Sequence, residues 1–362
     1  MHHYSIEQNS IKIIIALNNN YQGERTVRRK ACFLLLLLIC FTANASLYHS
    51  VYAVDFSLIL ETDKSLYGIG EAVNVAGNLT LDGSLVPDGL VALEVNASSE
   101  AIIYRTLNTG TDPPETPGVH ILNATITDGS GNPLANVYKD GVTQYYIRIY
   151  FNNSQTIPIK ALVTVTILDS NNYPIHTQTY SAEPIDFNPN WTYVWMAPWI
   201  VPEDAELGAA KIYANAYTKY PQAKGTPHCP EKSSTFNISL RGSTSFSSQA
   251  GEASLQMTGN FNTTFRIKKF GGKIGNYTIS VSSFKLVNIT AYIAFDSVTF
   301  EVIVQGDLNH DNWVDIFDIV IVAAAFGSTP PTDPRADVNG DGTVDIFDMV
   351  TVAAHYGEWG IP

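Results

Sequence analysis

Ten side-chain oxygens, set in the same register twice, are the residues in this sequence whose spacing points most directly to chemistry. The segments DLNHDNWVDIFDIVIVAAAFG (307–327) and DVNGDGTVDIFDMVTVAAHYG (337–357) start thirty residues apart and agree at thirteen of twenty-one positions. Asp307, Asn309, Asp311, Asp315 and Asp318 occupy positions 1, 3, 5, 9 and 12 of a twelve-residue loop, and Asp337, Asn339, Asp341, Asp345 and Asp348 repeat them. Hard oxygen donors at alternate residues of a tight loop suit calcium, which takes about six to eight oxygens at about 2.3–2.6 Å. Position 7 supplies a backbone carbonyl, here from Trp313 and Thr343, position 9 often acts through a water, and position 12 closes the cage. Four carboxylates in one small loop repel one another unless a cation lies among them. The expected chemistry is the binding of two calcium ions, one per loop.

Such loops need a sharp turn inside and a rigid element after them. Gly342 fills position 6 of the second loop, where φ must be positive, and Asn312 takes that place in the first. The apolar runs IVIVAAAF and MVTVAAHY read as helices stopped by Gly327 and Gly357 at C′. Asp318 and Asp348 favour the positive end of those helices. No comparable helix precedes either loop, so the unit is a loop plus a helix, half of an EF-hand, repeated around the linker STPPTDPRA.

This arrangement, over about residues 304–358, resembles the type I dockerin. The resemblance implies calcium binding and docking to a cohesin-like partner or another surface protein. It also marks where partner contacts would fall. Many dockerins carry Ser-Thr at loop positions 10 and 11, where this chain has Ile316-Phe317 and Ile346-Phe347. The basic pair usual further along the helix is replaced by Val322-Ala323-Ala324 and Val352-Ala353-Ala354. The partner surface implied is therefore largely apolar.

The rest of the chain must carry this module, and from Asp55 it reads as β structure. The pieces DFSLILET, AVNVAGNLTL and LVALEVNAS alternate with period two and are separated by the turns KSLYGIGE and DGSLVPDG. Only PEDAELGAA, from Pro202, suggests a short helix before residue 315. TDKSLYGIGEAVNVAGNLTLDGSLVPDGLVALEV is similar to the opening half of a macroglobulin-type sandwich. Its closing half, an F-x-x-x-F turn, then G-x-Y-x-I-x-V and a last strand, has counterparts only at Phe261 and Phe265, GNYTISVSS and VTFEVIV. Between them lie the strands VHILNATITD, TQYYIRIYFNN, KALVTVTILDS, TYVWMAP and AKIYANAYT. The fold class expected is mainly β: two or three immunoglobulin- or macroglobulin-like β-sandwich domains followed by a small α-helical calcium module. The division expected is a leader at 1–53, a split sandwich at 54–116 plus 241–303, an inserted sandwich at 117–240 and the calcium module at 304–362. Three sandwiches in series are the alternative.

Charge and targeting signals agree with an exported protein. Arg25, Arg28, Arg29 and Lys30 lead into the apolar run Ala31 to Ala43, which reads as a secretory signal with cleavage after Ala45 or Ala53. An uncleaved signal anchor, the only membrane contact expected, is the other reading. Beyond residue 53 the chain holds sixteen Lys and Arg against thirty-two Asp and Glu, a net charge of −16. That surface repels nucleic acid and attracts divalent cations. Cys32 and Cys40 lie in the leader, so Cys229 alone survives cleavage and no intrachain disulfide can form. Nine N-x-S/T sequons, at Asn78, Asn96, Asn123, Asn152, Asn190, Asn237, Asn262, Asn276 and Asn288, offer N-glycosylation sites in a host with that machinery.

Two functions fit these features. One is a non-catalytic surface or scaffold protein with a docking module. The other is an accessory or catalytic part of extracellular polysaccharide degradation, as dockerins elsewhere ride on glycoside hydrolases. Trp191, Trp195 and Trp199 could form a platform that stacks on glycans, or pack a β core. No Gly-x-Ser-x-Gly elbow, zinc-helix motif or phosphate loop is present. The densest acids outside the calcium loops are Glu183, Asp186, Glu203, Asp204 and Glu206, and Cys229 sits in HCPE rather than a thioester context.

Overall fold

Period-two alternation puts most of the described residues into strands, and among them α-helices appear only near the C-terminus. The structure, a computed structural model, describes residues 54–110, 118–242, 259–287 and 290–362. The leader with its cleavage options, Cys32 and Cys40, most of DPPETPG, and the sequon at Asn288 lie outside the described residues. Contacts divide the chain into Met1–Val54 and Asp55–Pro362, and the second unit holds every element below.

The strands before residue 111 are β1 (Phe56–Thr62), β2 (Leu66–Gly68), β3 (Ala72–Leu81), β4 (Ser84–Leu85), β5 (Leu90–Ala97) and β6 (Glu100–Asn108). Next come β7 (Val119–Thr127), β8 (Asn136–Tyr138), β9 (Gln144–Asn153), β10 (Ile159–Leu168), β11 (Pro174–Thr179), β12 (Ile185–Phe187), β13 (Thr192–Ile200), β14 (Gly208–Tyr217) and β15 (Lys232–Ser239). Then follow β16 (Asn260–Arg266), β17 (Phe270–Lys273), β18 (Gly275–Val287), β19 (Thr290–Ile303), α1 (Ile316–Ala325), α2 (Ile346–Ala354) and β20 (Trp359–Ile361).

Sheet I has the order β1-β3-β16 with β4 on β3, and sheet II the order β2-β19-β18-β5-β6. Both draw strands from before residue 111 and after residue 259, with β3 pairing β16 and β5 pairing β18. Sheet III runs β11-β10-β14-β15-β8 with β12 on β10, and sheet IV runs β13-β9-β7. Leu93, Val95, Phe261, Phe265, Tyr277 and Phe300 fill the core between sheets I and II. Phe151, Val165, Phe187, Trp195 and Trp199 fill the one between III and IV.

Sheets II and III also meet, so their central strands are buried on both sides. Every residue of β5, and of β10 from Ala161 on, is buried. The contact is polar. Tyr104 N–H donates to Thr166 Oγ1 at 2.8 Å, Asn215 Nδ2 to the Tyr104 carbonyl at 3.2 Å, and Tyr217 Oη to the Arg105 carbonyl at 2.8 Å. Glu94 is fully buried in this layer, with Oε2 accepting from Gln222 N–H at 2.9 Å and Oε1 lacking a partner. Burial raises its pKa above the ordinary 4.5, outweighing the hydrogen bond from Gln222 N–H and the nearby polar groups of Asn96 and Tyr104. A carboxyl with a raised folded pKa contributes stability below its unfolded pKa and loses it as the pH climbs through the folded value. Glu94→Gln should therefore stabilise the protein at pH 8 and change little at pH 4. Denaturant midpoints at the two pH values check this, and a variant no more stable than wild type at pH 8 refutes it.

Three local expectations need correction. KSLYGIGE contains a strand, β2, which pairs parallel with β19 because Tyr67 buries its ring against Phe300 and donates its hydroxyl to Asp63. Phe261 and Phe265 lie not in a turn but on β16, both rings buried under β3. PEDAELGAA forms no helix. Residues 201–207 are irregular, and the small residues after Gly208 enter β14, where sheet pairing on both sides overrides their helix propensity. Asn96, a sequon, is almost fully buried between the sheets, so a glycan there is incompatible with this packing.

Candidate metal centre and docking face

The same hydrogen bonds shape both loops. Asp307 accepts the N–H of Asn312 at 2.8 Å and of Asp311 at 3.2 Å, and Asp337 accepts those of Gly342 at 2.9 Å and Asp341 at 3.1 Å. Asn309 Oδ1 takes Asp311 N–H and Asp311 Oδ1 takes Trp313 N–H, both at 2.9 Å, with Asn339, Asp341 and Thr343 repeating the pattern at 2.9 Å. Left-handed backbone recurs at positions 4 and 6: φ is 61° at His310 and 69° at Asn312, then 74° at Gly340 and 87° at Gly342. These turns curl each loop around its first aspartate.

Position 12 anchors loop to helix. Asp318 is fully buried and accepts N–H groups of Leu308 at 2.7 Å, Asn309 at 3.1 Å and Asp315 at 2.8 Å. Asp348 does the same with Val338, Asn339 and Asp345. Asp315 and Asp345 are N-caps that accept from Phe317 and Phe347 N–H, which completes a capping box at the start of α1 and α2. Burial, with the Asp318 charge adding to it, pushes the Asp307 pKa up. Burial acts in the same direction on Asp348, but the N–H groups around it outweigh that and hold it low.

The donor set fits calcium: hard oxygens only, four carboxylates and one amide oxygen per loop, on loops already curled in one sense. Asp307, Asn309, Asp311, Asp315, Asp318 and the Trp313 carbonyl would hold one ion. Asp337, Asn339, Asp341, Asp348, Thr343 and Asp345 would hold the other. Bound there, calcium would supply the positive charge that lets these carboxylates share a small space. Among the described residues no three His, Cys, Asp or Glu side chains already converge at metal-holding distance.

The two repeats cross-link. Val314, at position 8, exchanges hydrogen bonds with the segment after α2: its N–H donates to the Glu358 carbonyl at 2.9 Å, and Gly357 N–H donates to its carbonyl at 2.8 Å. Val344 makes the matching pair with Gly327 and Ser328 after α1. Val314, Val322, Ala325, Val344 and Val352 fill the core between the helices. Val322 and Val352, in the stretch where dockerins usually carry a basic pair, thus face inward, while the alanines beside them stay exposed.

Ile316 and Phe317 are 53% and 63% exposed, and Ile346 and Phe347 are 52% and 65%. Val320 and Val350, one helical turn on, extend each patch, and the i, i+4 spacing from Ile316 and Ile346 is the signal that could have found them. The result is the same apolar patch twice, both copies in solvent. The tryptophan cluster fares differently. Alternation on β13 sends Trp195 and Trp199 into the core, while Trp191, just before the strand, stays exposed, so the three form no platform. Cys229 is buried and its thiol pKa is pushed up to about 11 by that burial, which keeps it protonated and unreactive. Glu183, Asp186, Glu203, Asp204 and Glu206 are exposed, and Asp204 is paired with Lys268. No helix among the described residues is long and apolar enough to cross a membrane.

Residues 305–355 match the family model of the dockerin type I domain, and this segment is a type I dockerin module. Such modules bind calcium and dock to cohesin partners. No curated protein matches the chain. Among solved structures, an alkylpurine DNA glycosylase from Pseudomonas fluorescens aligns at 10% identity and TM-score 0.25, over 34% of this chain and 31% of that one. The C-terminal domain of Wzt aligns at 13% and 0.29, over 38% and 87%. A CARDB domain from Pyrococcus furiosus aligns at 14% and 0.24, over 35% and 98%. The chain thus spans about a third of the length of the DNA glycosylase.

Proposed function

We propose that this chain is an exported, non-catalytic surface or scaffold protein that presents β-sandwich domains on a calcium-binding dockerin module. The display body is a sandwich of residues 54–116 plus 241–303 with a second, 117–240, inserted into it. The pairing of β3 with β16 and of β5 with β18 supports that division. The module, 304–362, takes two calcium ions through the twelve residues named above. The leader directs export.

The observation that carries the docking role is the duplicated apolar patch of Ile316, Phe317 and Val320 with Ile346, Phe347 and Val350. Exposed apolar surface of this kind marks a protein contact. A matching cohesin-like surface would be apolar where the partners of Ser-Thr dockerins are polar. The test is retention of the full chain on a panel of immobilised cohesin modules, with calcium and with chelator. Retention should need calcium. Phe317→Asp or Phe347→Asp alone should weaken it partly, since the other copy remains, and the double variant should abolish it, a loss of about 2 kcal/mol or more. Retention that survives the double substitution, or fails for every cohesin in saturating calcium, rules the reading out.

A further inference from the structure

The two calcium loops are not equivalent in what they touch. Beyond Gly357 the chain continues into β20, which runs along both the first loop and the body of the protein. On one side Trp313 bridges Trp359, Gly360 N–H donates to the Asn312 carbonyl at 3.0 Å, and the two indoles stack with centroids 6.3 Å apart. On the other side β20 pairs parallel with β17, Phe270 opposite Trp359 and Lys273 opposite Ile361, and Ile274 N–H donates to the Ile361 carbonyl at 2.8 Å. The approach is close. A Cβ on Gly271 would meet the Trp359 ring at 2.8 Å, and one on Gly360 would collide with Ile274. The bonds of the second loop to Gly327 and Ser328 stay inside the module.

The segment that receives β20 is unusual in charge. Arg266, Lys268, Lys269 and Lys273 fall within eight residues and are four of the sixteen bases beyond residue 53. Lys269 pairs with Glu358 at 3.1 Å, and that nearly buried carboxylate also holds His355 at 2.9 Å. Lys268 pairs with Asp204 of the loop before β14, and Lys273 with Glu100 of β6. A cavity of about 240 Å³ adjoins the segment, lined in part by Arg266, Lys268, Lys273, His176 and Glu100. Its lysines are already spent on these pairs, which suits a clasp better than a ligand pocket.

We propose that residues 266–274 are a calcium-gated clasp: filling the first loop fixes residues 312–314, these order β20, and β20 holds β17, the segment that links β16 to β18. The dockerin module is then wired into the β body through one of its two sites. This rests on the calcium reading above.

The test is amide hydrogen exchange of the full chain beside a calorimetric calcium titration. Chelator should speed exchange at residues 270–274 roughly tenfold or more, as local opening allows. In saturating calcium, Asp307→Ala should reproduce that loosening and Asp337→Ala should not. A chain ending at Gly357 should still bind calcium while residues 270–274 stay unprotected with or without it. Calcium binding with unchanged protection at 270–274, or an equal effect of Asp337→Ala, overturns the clasp. A titration with no heat and no bound calcium overturns the calcium reading itself.

Discussion

In excess chelator, α1 and α2 should lose their exchange protection and the module its helical circular dichroism, and both should return when calcium is added. The helices span only Ile316–Ala325 and Ile346–Ala354. Isolated helices shorter than about 12–15 residues are marginal in water, and these are rich in Val and Ile. Their own core is small, and each loop gathers four carboxylates. Against that, a site whose free calcium stands a thousandfold above Kd gains about 4 kcal/mol. Two such sites add about 8 kcal/mol, comparable with the whole stability of a small domain. The β sheets should stay folded throughout, since their strand pairing closes without the loops, although the helices' core is continuous with that of sheets I and II. Full protection of α1 and α2 in chelator would refute this account.

What the sequence makes legible here is local. Alternation reveals the β character because each strand carries its own pattern of inward and outward residues. The curled loops are legible because a twelve-residue turn needs oxygen and left-handed residues at fixed positions, and both copies say so. Period two places Trp191, Trp195 and Trp199 on one face, and only the start of β13 at Thr192 leaves Trp191 off it, a boundary the pattern does not announce. Asp318 as the second half of a capping box is harder to see, because the usual residue at N3 is Glu or Gln. Non-local pairing is not legible at all. Nothing in WGI announces a strand, and β20 exists only because β17 and the first loop offer backbone groups on either side. The same holds for β2, three residues fixed by the buried ring of Tyr67 and the free edge of β19. The polar layer between sheets II and III is invisible for the same reason: β5 and β10 look like ordinary strands until two sheets cover both of their faces.

That layer carries the second large effect. Arg105 lies between the sheets, with Nε 2.8 Å and Nη2 3.0 Å from the two carboxylate oxygens of Glu231, and its guanidinium stacks 3.7 Å from the centroid of the Tyr213 ring. Glu231 Oε2 also accepts Thr106 N–H at 3.2 Å. Both side chains are nearly excluded from water, at 13% and 11% exposure. Removing one partner of such a pair strands the other charge, at a cost of about 3–5 kcal/mol. Glu231→Ala should therefore destabilise the protein by that amount in denaturant unfolding and loosen exchange in β6 and β14 together, because the pair spans the two sandwiches. Replacing both groups by apolar residues of similar size, Arg105→Met with Glu231→Leu, should recover most of the loss, since the pair's attraction mainly offsets its own desolvation. A loss under about 1 kcal/mol for Glu231→Ala would mean water already screens the pair as it does at a surface. The double variant keeps both calcium loops and both apolar patches intact. Unchanged calcium-dependent retention on a cohesin would then separate the stability of the display body from the docking it serves.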